Sequence, residues 1–296
     1  MPTGLEYWRN AAREEVDVAA VARLTDDPRY SAVLRQAISG GLAFNDAEPE
    51  LNATFQDIGT AGLATLALYL DAHGGITHRR LAEISNTSTI LSRGRASAIL
   101  GMLRFRGLAT PERHAPRGAQ IRYIMSPGIP HFFTTRIGIE FKALSLIEPS
   151  VNALLEIWEK PGTLHAYVAS FGNDLVNAGR KPVADLETIT DVGGRRGGFH
   201  ILFDMLMRAD RGDMFPSPAP FEISISEMAR RFSVSRVHVR RVVARAEAHG
   251  FLVRDKDTFQ FQPVLQSKLR RYIATVHVAL MACAHDVLQP PDNTAP

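Results

Sequence analysis

Two segments of this chain place a serine directly before an arginine, and each pair is followed by more polar or basic residues. A serine hydroxyl can accept a hydrogen bond from the free N–H groups at a helix start. An arginine guanidinium matches the O6 and N7 atoms of guanine and also binds phosphate. These residue types therefore support contacts to nucleic-acid bases and backbone. The candidates are Ser92, Arg93, Arg95 and Ser97 in the first segment and Ser235, Arg236, His238, Arg240 and Arg241 in the second.

Two amphipathic helices are needed to position these side chains. In each segment apolar residues recur at i, i+3, i+4 and i+7, and Gly107 or Gly250 stands where the helix should end. This spacing places the apolar residues on one helix face, and glycine suits the position after a helix. Such a helix, with basic residues near its start, is suited to the major groove of DNA. The apolar positions are Ala96, Ile99, Leu100 and Leu103 in the first segment and Val239, Val242, Val243 and Ala246 in the second.

A short helix is predicted before each of these two helices, which makes each copy a helix-turn-helix. Thr77 is predicted to cap the first short helix, and the turn is placed at 85–89. Ser226 is predicted to cap the second, and Ser233-Val234 is the turn.

Two strands are predicted after each long helix, and such a pair forms a wing. In the first copy the loop between the strands contains Arg113 and Arg117, which are candidates for contacts to the DNA backbone. In the second copy the turn is short, at Asp255-Lys256-Asp257. The strands are placed at 108–110 and 121–125 in the first copy and at 251–254 and 258–262 in the second.

Several stretches follow the pattern of a known family: 106–108, 113–117 and 121–128 in the first copy and 234–241 in the second. The first three resemble the helix end, wing and following segment of the MarR family of bacterial regulators. The last looks like the start of recognition helices in MarR- and GntR-type winged helices. The resemblance covers roughly 62–128 and 195–262, which is under half of the chain.

The resemblance implies a winged helix-turn-helix fold and binding to double-stranded DNA. The chain departs from the MarR pattern because Ala115 stands where that wing has an acidic residue. MarR proteins also carry one winged helix per chain and form homodimers, whereas two copies are present here. Because the copies differ at equivalent positions, a site bound by both would be asymmetric.

The expected fold class is mainly α with short β-wings, with tandem winged helix-turn-helix domains joined by a helical segment. Within the N-terminal segment, breaks are predicted at Asp27-Pro28 and at Ser39-Gly40-Gly41, and a loop at 45–52. A flexible linker at 191–198 is favoured over an arm on DNA, and the last helix should pack on its own domain or on a partner subunit. The predicted division is an N-terminal helical segment (1–53), a first winged helix (54–128), a connector or dimerisation segment (129–192), a second winged helix (193–263) and a C-terminal helix (264–290).

The charge is concentrated on the two copies. The net charge is +3, yet the stretch 76–125 holds nine arginines against two acids, and 224–262 holds eight basic residues against four acids. Because the two stretches hold +11, the remaining chain carries −8. This segregation is typical of a surface that binds phosphates.

Other classes of protein find little support in the residue pattern. There is no membrane-length apolar run, no signal-peptide pattern and a single cysteine, Cys283, so we expect a cytoplasmic chain with no membrane partner. No zinc-protease, nucleophile-elbow or phosphate-loop motif occurs, and we expect neither an enzyme nor a cofactor. His277, Cys283 and His285 have spacings that do not share a helix face, so they are interpreted as packing and surface residues.

The sequence therefore favours a DNA-binding transcriptional regulator with two non-identical reading heads. A replication initiator is a first alternative, and a winged-helix module that binds proteins, as in chromosome segregation, is a second. A homodimer and a small-molecule effector stay open. The first copy is predicted to be the weaker head, because its turn is longer.

Overall fold

Helices make up most of the residues that the structure describes, and the six short strands among these residues form two antiparallel sheets of three strands each. The computed structural model describes residues 4–12, 16–87, 93–112, 120–177, 187–212 and 214–289. Within these ranges no helix is both long and apolar enough to cross a membrane. The expectation of a mainly helical chain with short strands is confirmed.

The described elements are numbered in chain order. The helices up to the first sheet are α1 (Leu5–Ala11), α2 (Val18–Asp26), α3 (Tyr30–Ala47), α4 (Pro49–Thr54), α5 (Ile58–Ala72), α6 (His78–Thr87) and α7 (Arg93–Phe105). The middle helices are α8 (Gly128–Leu144), α9 (Val151–Leu155), α10 (Thr163–Asn177) and α11 (Glu187–Gly193). The last four are α12 (Gly198–Ala209), α13 (Ile225–Arg231), α14 (Arg236–Ala248) and α15 (Pro263–Leu288). The strands are β1 (Ile76–Thr77), β2 (Ala109–Pro111), β3 (Arg122–Met125), β4 (Phe221–Glu222), β5 (Leu252–Asp255) and β6 (Thr258–Phe261).

The same order of elements occurs twice. The first unit (58–125) runs α5-β1-α6-α7-β2-β3, and the second unit (198–261) runs α12-β4-α13-α14-β5-β6. In both sheets the last strand lies in the middle, in the orders β1-β3-β2 and β4-β6-β5. The sequence repeat therefore extends to the topology of each unit.

Each sheet is closed by a hairpin whose inward side chains join the core. In the first unit Ala109 lies opposite Met125, and both are buried. In the second unit Leu252 lies opposite Phe261, and both are buried. Alternating burial along β3 and β6 is the pattern of strands with one face on a core.

The C-terminal helix α15 packs inside the chain. It contacts α1, α2, α9 and α10, among others. Leu269 and Ile273 are buried, while Val276 is 40% exposed. The helix therefore packs within the chain, but mainly on the N-terminal and middle helices and not on the second unit, as the first alternative from the sequence had it.

The N-terminal helices differ from the prediction at two places. Helix α3 runs through Gly40 and Gly41 without a break, and the predicted loop at 45–52 is largely helical, since α4 begins at Pro49. A methyl group on Gly40 would lie 2.7 Å from Ile139 Cγ2 of α8. The glycine therefore permits a close crossing of α3 and α8, and the predicted break was wrong because tertiary packing outweighs its low helix propensity.

The predicted flexible linker at 191–198 is instead a packed corner. Helix α11 ends at Gly193 and α12 begins at Gly198, and both glycines are buried. A methyl group on Gly198 would lie 2.7 Å from the Val192 carbonyl oxygen. The glycines allow the backbone segments to approach closely and do not make the segment flexible. A glycine-rich composition is compatible with both, so the sequence alone does not distinguish them.

Two sets of contacts join the second unit to residues that precede the first unit in the chain. The buried Gln56 donates from Nε2 to the Phe232 carbonyl (3.0 Å), and its own backbone carbonyl accepts from Gly197 N (3.2 Å). Arg231 forms an ion pair with Asp46 of α3 (2.7 Å) and a second with the buried Asp204. These bonds hold the segment 232–234, which precedes α14, against the N-terminal part of the chain.

His200 of α12 is expected to make the free energy of unfolding depend on pH. Burial first, then the charges of Arg136 and Arg231, lower the pKa of His200 from 6.5 to about 4. The unfolded chain therefore binds more protons at this site between these two pKa values. At this site the free energy of unfolding is highest above about pH 6.5 and decreases as the pH falls toward 4. Between about pH 7 and pH 5 the decrease is about 2 kcal/mol.

Urea unfolding of the parent chain and of His200→Gln at these two pH values checks the expectation. The variant should lose most of the pH dependence, whereas His165→Gln, at a 45% exposed side chain on α10, should keep it. Equal pH dependence in the parent and His200→Gln would contradict the assignment.

Candidate nucleic-acid interface

Helix α14 is held by its cap and by its apolar face. Ser235 accepts a hydrogen bond from the His238 backbone N–H (3.1 Å), as the sequence predicted. In the preceding turn Ser233 has a φ of 52°, which lets the chain reverse between α13 and α14. The helix packs on the core through four buried side chains, and they are the predicted Val239, Val242, Val243 and Ala246.

The outward face of α14 carries three of the predicted arginines. Arg236, Arg240 and Arg241 are all exposed, and Val237 between them is 51% exposed. Arginine can bond guanine or phosphate, and an apolar side chain can contact the methyl group of thymine. This face therefore combines the two kinds of contact used in a major groove.

His238 lies on the side of α14 that turns toward the corner at 194–197. The pKa of His238 is lowered, mainly by burial and also by the charges of Arg245, Arg196 and Arg241. The backbone of Arg196 acts in the opposite direction and raises this pKa. His238 therefore packs between the corner and the helix. Its predicted place among outward reading residues is not supported by this position.

Two arginines that the sequence analysis left out lie beside this helix. Arg195 and Arg196 are exposed in the corner before α12, and Arg195 Nη2 lies 3.6 Å from Asp191 Oδ1. The Arg195-Arg196 pair was visible in the sequence, but the linker interpretation removed it from the candidates. Because Asp191 already pairs with Arg195, the structure adds the charge of Arg196 to those of Arg236, Arg240 and Arg241.

The β5–β6 hairpin contributes little net charge. Arg254 donates from Nε to the Lys256 carbonyl (2.8 Å) and lies over the Phe259 ring at 5.5 Å from its centroid. The tip carries Asp255 and Asp257 beside these two basic residues. Attraction for phosphate is therefore concentrated on α14 and the corner.

In helix α7 two of the predicted DNA-binding residues contact neighbouring parts of the chain. Arg95 Nη2 lies 3.0 Å from Asp57 Oδ1, and Asp57 caps α5 by accepting from Thr60 N (2.9 Å). Ser97 lines a narrow crevice against α6, together with His78 and Leu81. Both side chains thus contact their own unit.

Helix α7 has an exposed Arg104, which lies over the Tyr123 ring, but the strip beside it has no charged side chain. Gly94, Ala98, Gly101 and Phe105 form this strip and are exposed, and Phe105 is exposed to 92%. They occupy the positions of Val237, Arg241, Ala244 and Ala248 in α14. The two long helices are therefore alike in their core faces and different in their outer ones.

Four predicted candidates of the first unit are not fully described. Ser92, Arg113 and Arg117 lie outside the described residues, and Arg93 begins α7 without a described side chain. The predicted turn at 85–89 is partly wrong, because α6 continues to Thr87. In the second unit the cap of α13 is Ser224, which accepts from Glu227 N (3.3 Å), and not Ser226.

The arrangement offers charge-assisted hydrogen bonds and one apolar contact on a single exposed helix face. It holds no group of three or more His, Cys, Asp or Glu side chains suited to a metal ion in the described ranges. No protein-family model, curated protein or solved structure matches this chain.

Proposed function

We propose that this chain is a cytoplasmic transcriptional regulator of the tandem winged-helix type, which binds double-stranded DNA mainly through α14. The outward face of α14, with Arg236, Arg240 and Arg241 around the exposed Val237, is the observation that carries the proposal. The order helix, strand, helix, helix, strand, strand in both units supports the winged-helix part.

The proposal assigns the two units different roles. Arg196 in the corner extends the basic surface of the second unit toward the DNA backbone. In the first unit Arg95 is engaged by Asp57, and the strip at Gly94, Ala98, Gly101 and Phe105 of α7 has no charged side chain. The first unit therefore supplies little of the affinity through its described residues, and α14 supplies the sequence preference.

The test is binding of the purified chain to labelled duplex DNA over a range of salt, comparing its own upstream region with random sequence. Four arginines on phosphates (Arg196, Arg236, Arg240 and Arg241) would release counterions such that affinity falls by about a hundredfold between about 50 and 200 mM salt. A steep salt dependence with preference for the upstream region supports a regulator. Absence of binding at low salt overturns the proposal.

The two alternatives give different results in the same experiment. A replication initiator would bind repeated origin elements in preference to an upstream region, with a similar salt dependence. A protein-binding winged helix would show negligible affinity for any duplex. The exposed Phe105, in the strip of α7 that has no charged side chain, is the feature that would favour this second alternative for the first unit.

Matched single substitutions test the unequal roles of the units. Arg236→Ala removes an exposed arginine at the start of α14, and Arg93→Ala removes its equivalent at the start of α7. The first is expected to weaken DNA binding by about tenfold, since an arginine contact contributes about 1–3 kcal/mol. The second should change the affinity less than about threefold in the same binding assay. Equal losses would show that both helices read DNA.

A further inference from the structure

Two adjacent residues, Gln56 and Asp57, lie between the starts of the two long helices. On one side Gln56 donates from Nε2 to the Phe232 carbonyl (3.0 Å), shortly before the Ser235 cap of α14. On the other side Asp57 Oδ1 accepts from Nη2 of Arg95 (3.0 Å), which belongs to the first turn of α7. The segment 56–57 therefore contacts both units beside the helix starts where the DNA contacts are predicted.

Further contacts fix this junction on both sides. The Gln56 backbone carbonyl accepts from the Gly197 N–H (3.2 Å), and a methyl group on Gly197 would lie 3.2 Å from Val234 Cγ1. A methyl group on Gly59, in the first turn of α5, would lie 2.6 Å from Arg95 Cζ. Gln56 is buried, whereas the Arg95 side chain is 54% exposed. The junction is thus closely packed, while Arg95 stays at the surface.

The short junction limits the distance between the two helix starts. Two adjacent residues with extended side chains and a hydrogen bond at each end span about 20 Å at most. The Arg95 guanidinium therefore lies within about 20 Å of the Phe232 carbonyl, and the turn at Ser233, with its φ of 52°, keeps α14 beside that carbonyl. Heads that bind successive major grooves need half-sites about 34–36 Å apart. The two helix starts are closer together than such a pair of half-sites requires.

The ion pair at the junction leaves Arg95 available to a phosphate. Asp57 and Arg95 have side chains that are 23% and 54% exposed. An ion pair between solvent-accessible groups contributes only about 0–1 kcal/mol. A phosphate that approaches the start of α7 can therefore replace the carboxylate of Asp57 at small cost.

We propose that the two units form a single surface that binds one continuous stretch of duplex DNA, about one helical turn long, in place of two half-sites one turn apart. On this stretch the start of α7 lies within about six base pairs of the start of α14, since about 20 Å corresponds to six steps of 3.4 Å. Arg95 exchanges Asp57 for a phosphate of the same stretch. The inference rests on the proposed function and adds the length and continuity of the DNA site.

Asp57→Asn tests the inference, because asparagine can still cap α5 but lacks the charge that pairs with Arg95. Affinity is measured by fluorescence anisotropy on two duplexes, of about 16 and about 30 base pairs, and a half-site one turn away lies outside the shorter one. Both are centred on the base pairs that lose protection from hydroxyl radicals in Arg240→Ala. We expect Asp57→Asn to bind both duplexes about threefold more tightly than the parent, with a salt slope steeper by about 0.9 for one more phosphate.

Two further variants serve as controls. Asp71→Asn removes the same charge from the other end of α5, about 20 Å along the helix, and should change the affinity less than about 1.5-fold because of screening. In an Arg95→Ala background, Asp57→Asn should leave the salt slope unchanged. Thermal unfolding without DNA shows that each variant is folded.

The remaining outcomes separate this inference from the proposed function. A gain for Asp57→Asn on the longer duplex only would place the units on separate half-sites, and it overturns the inference while the function stands. No gain on either duplex would show that the start of α7 does not reach the DNA, with the same consequence. A parent chain that binds neither duplex at about 50 mM salt would instead overturn the proposed function, and the inference with it.

Discussion

Replacing Arg236, Arg240 and Arg241 together by alanine is expected to weaken duplex DNA binding by about a thousandfold or more. Each exposed arginine on the outward face of α14 should contribute about 1–3 kcal/mol through base or phosphate contacts. The salt dependence should also become shallower, by about 0.9 in the logarithmic slope for each phosphate that the variant no longer neutralises. Fluorescence anisotropy with a labelled duplex at several salt concentrations measures both quantities.

The control must remove the same charge from another surface. Arg29, Lys142 and Lys160 are exposed residues outside both units, and their triple alanine variant lowers the net charge by the same amount. It should change the affinity by less than about fivefold, because screening weakens charges far from the bound DNA. Similar losses in both triple variants would show that general charge, and not α14, governs binding.

Asp204→Ala is expected to destabilise the chain by about 2–4 kcal/mol, because removing one partner of a buried pair costs about 3–5 kcal/mol. Asp204 is 3% exposed, accepts from Arg208 Nε (2.8 Å) and pairs with Arg231. The lower range applies because both guanidiniums are 28% exposed and keep Glu227 and Asp46 as partners.

Urea unfolding followed by circular dichroism measures this loss. Asp257→Ala removes a carboxylate from an exposed position in the β5–β6 turn. Its free energy of unfolding should stay within about 0.5 kcal/mol of that of the parent. A result for Asp204→Ala inside that same interval would show that the α12–α13 ion pairs do not stabilise the second unit.

The features that the sequence predicts well depend on near neighbours. Helical spacing after Ser235 places Val239, Val242 and Val243 on one face, and the serine hydroxyl can reach only the N–H groups of its own first turn. The hairpins follow from short apolar runs around polar turns. These interactions span few residues, so the order of residues within one stretch is sufficient to determine them.

The features that only the tertiary structure decided depend on contacts between distant stretches. Gly40 lies inside a helix at a close crossing with Ile139 of α8, Arg95 is engaged by Asp57, and Gln56 donates to the Phe232 carbonyl. No local period encodes which stretches meet, because that choice follows from burying all apolar faces at once. The sequence by itself thus determined the two repeated units and the apolar faces of their long helices, while packing decided which arginines remain exposed.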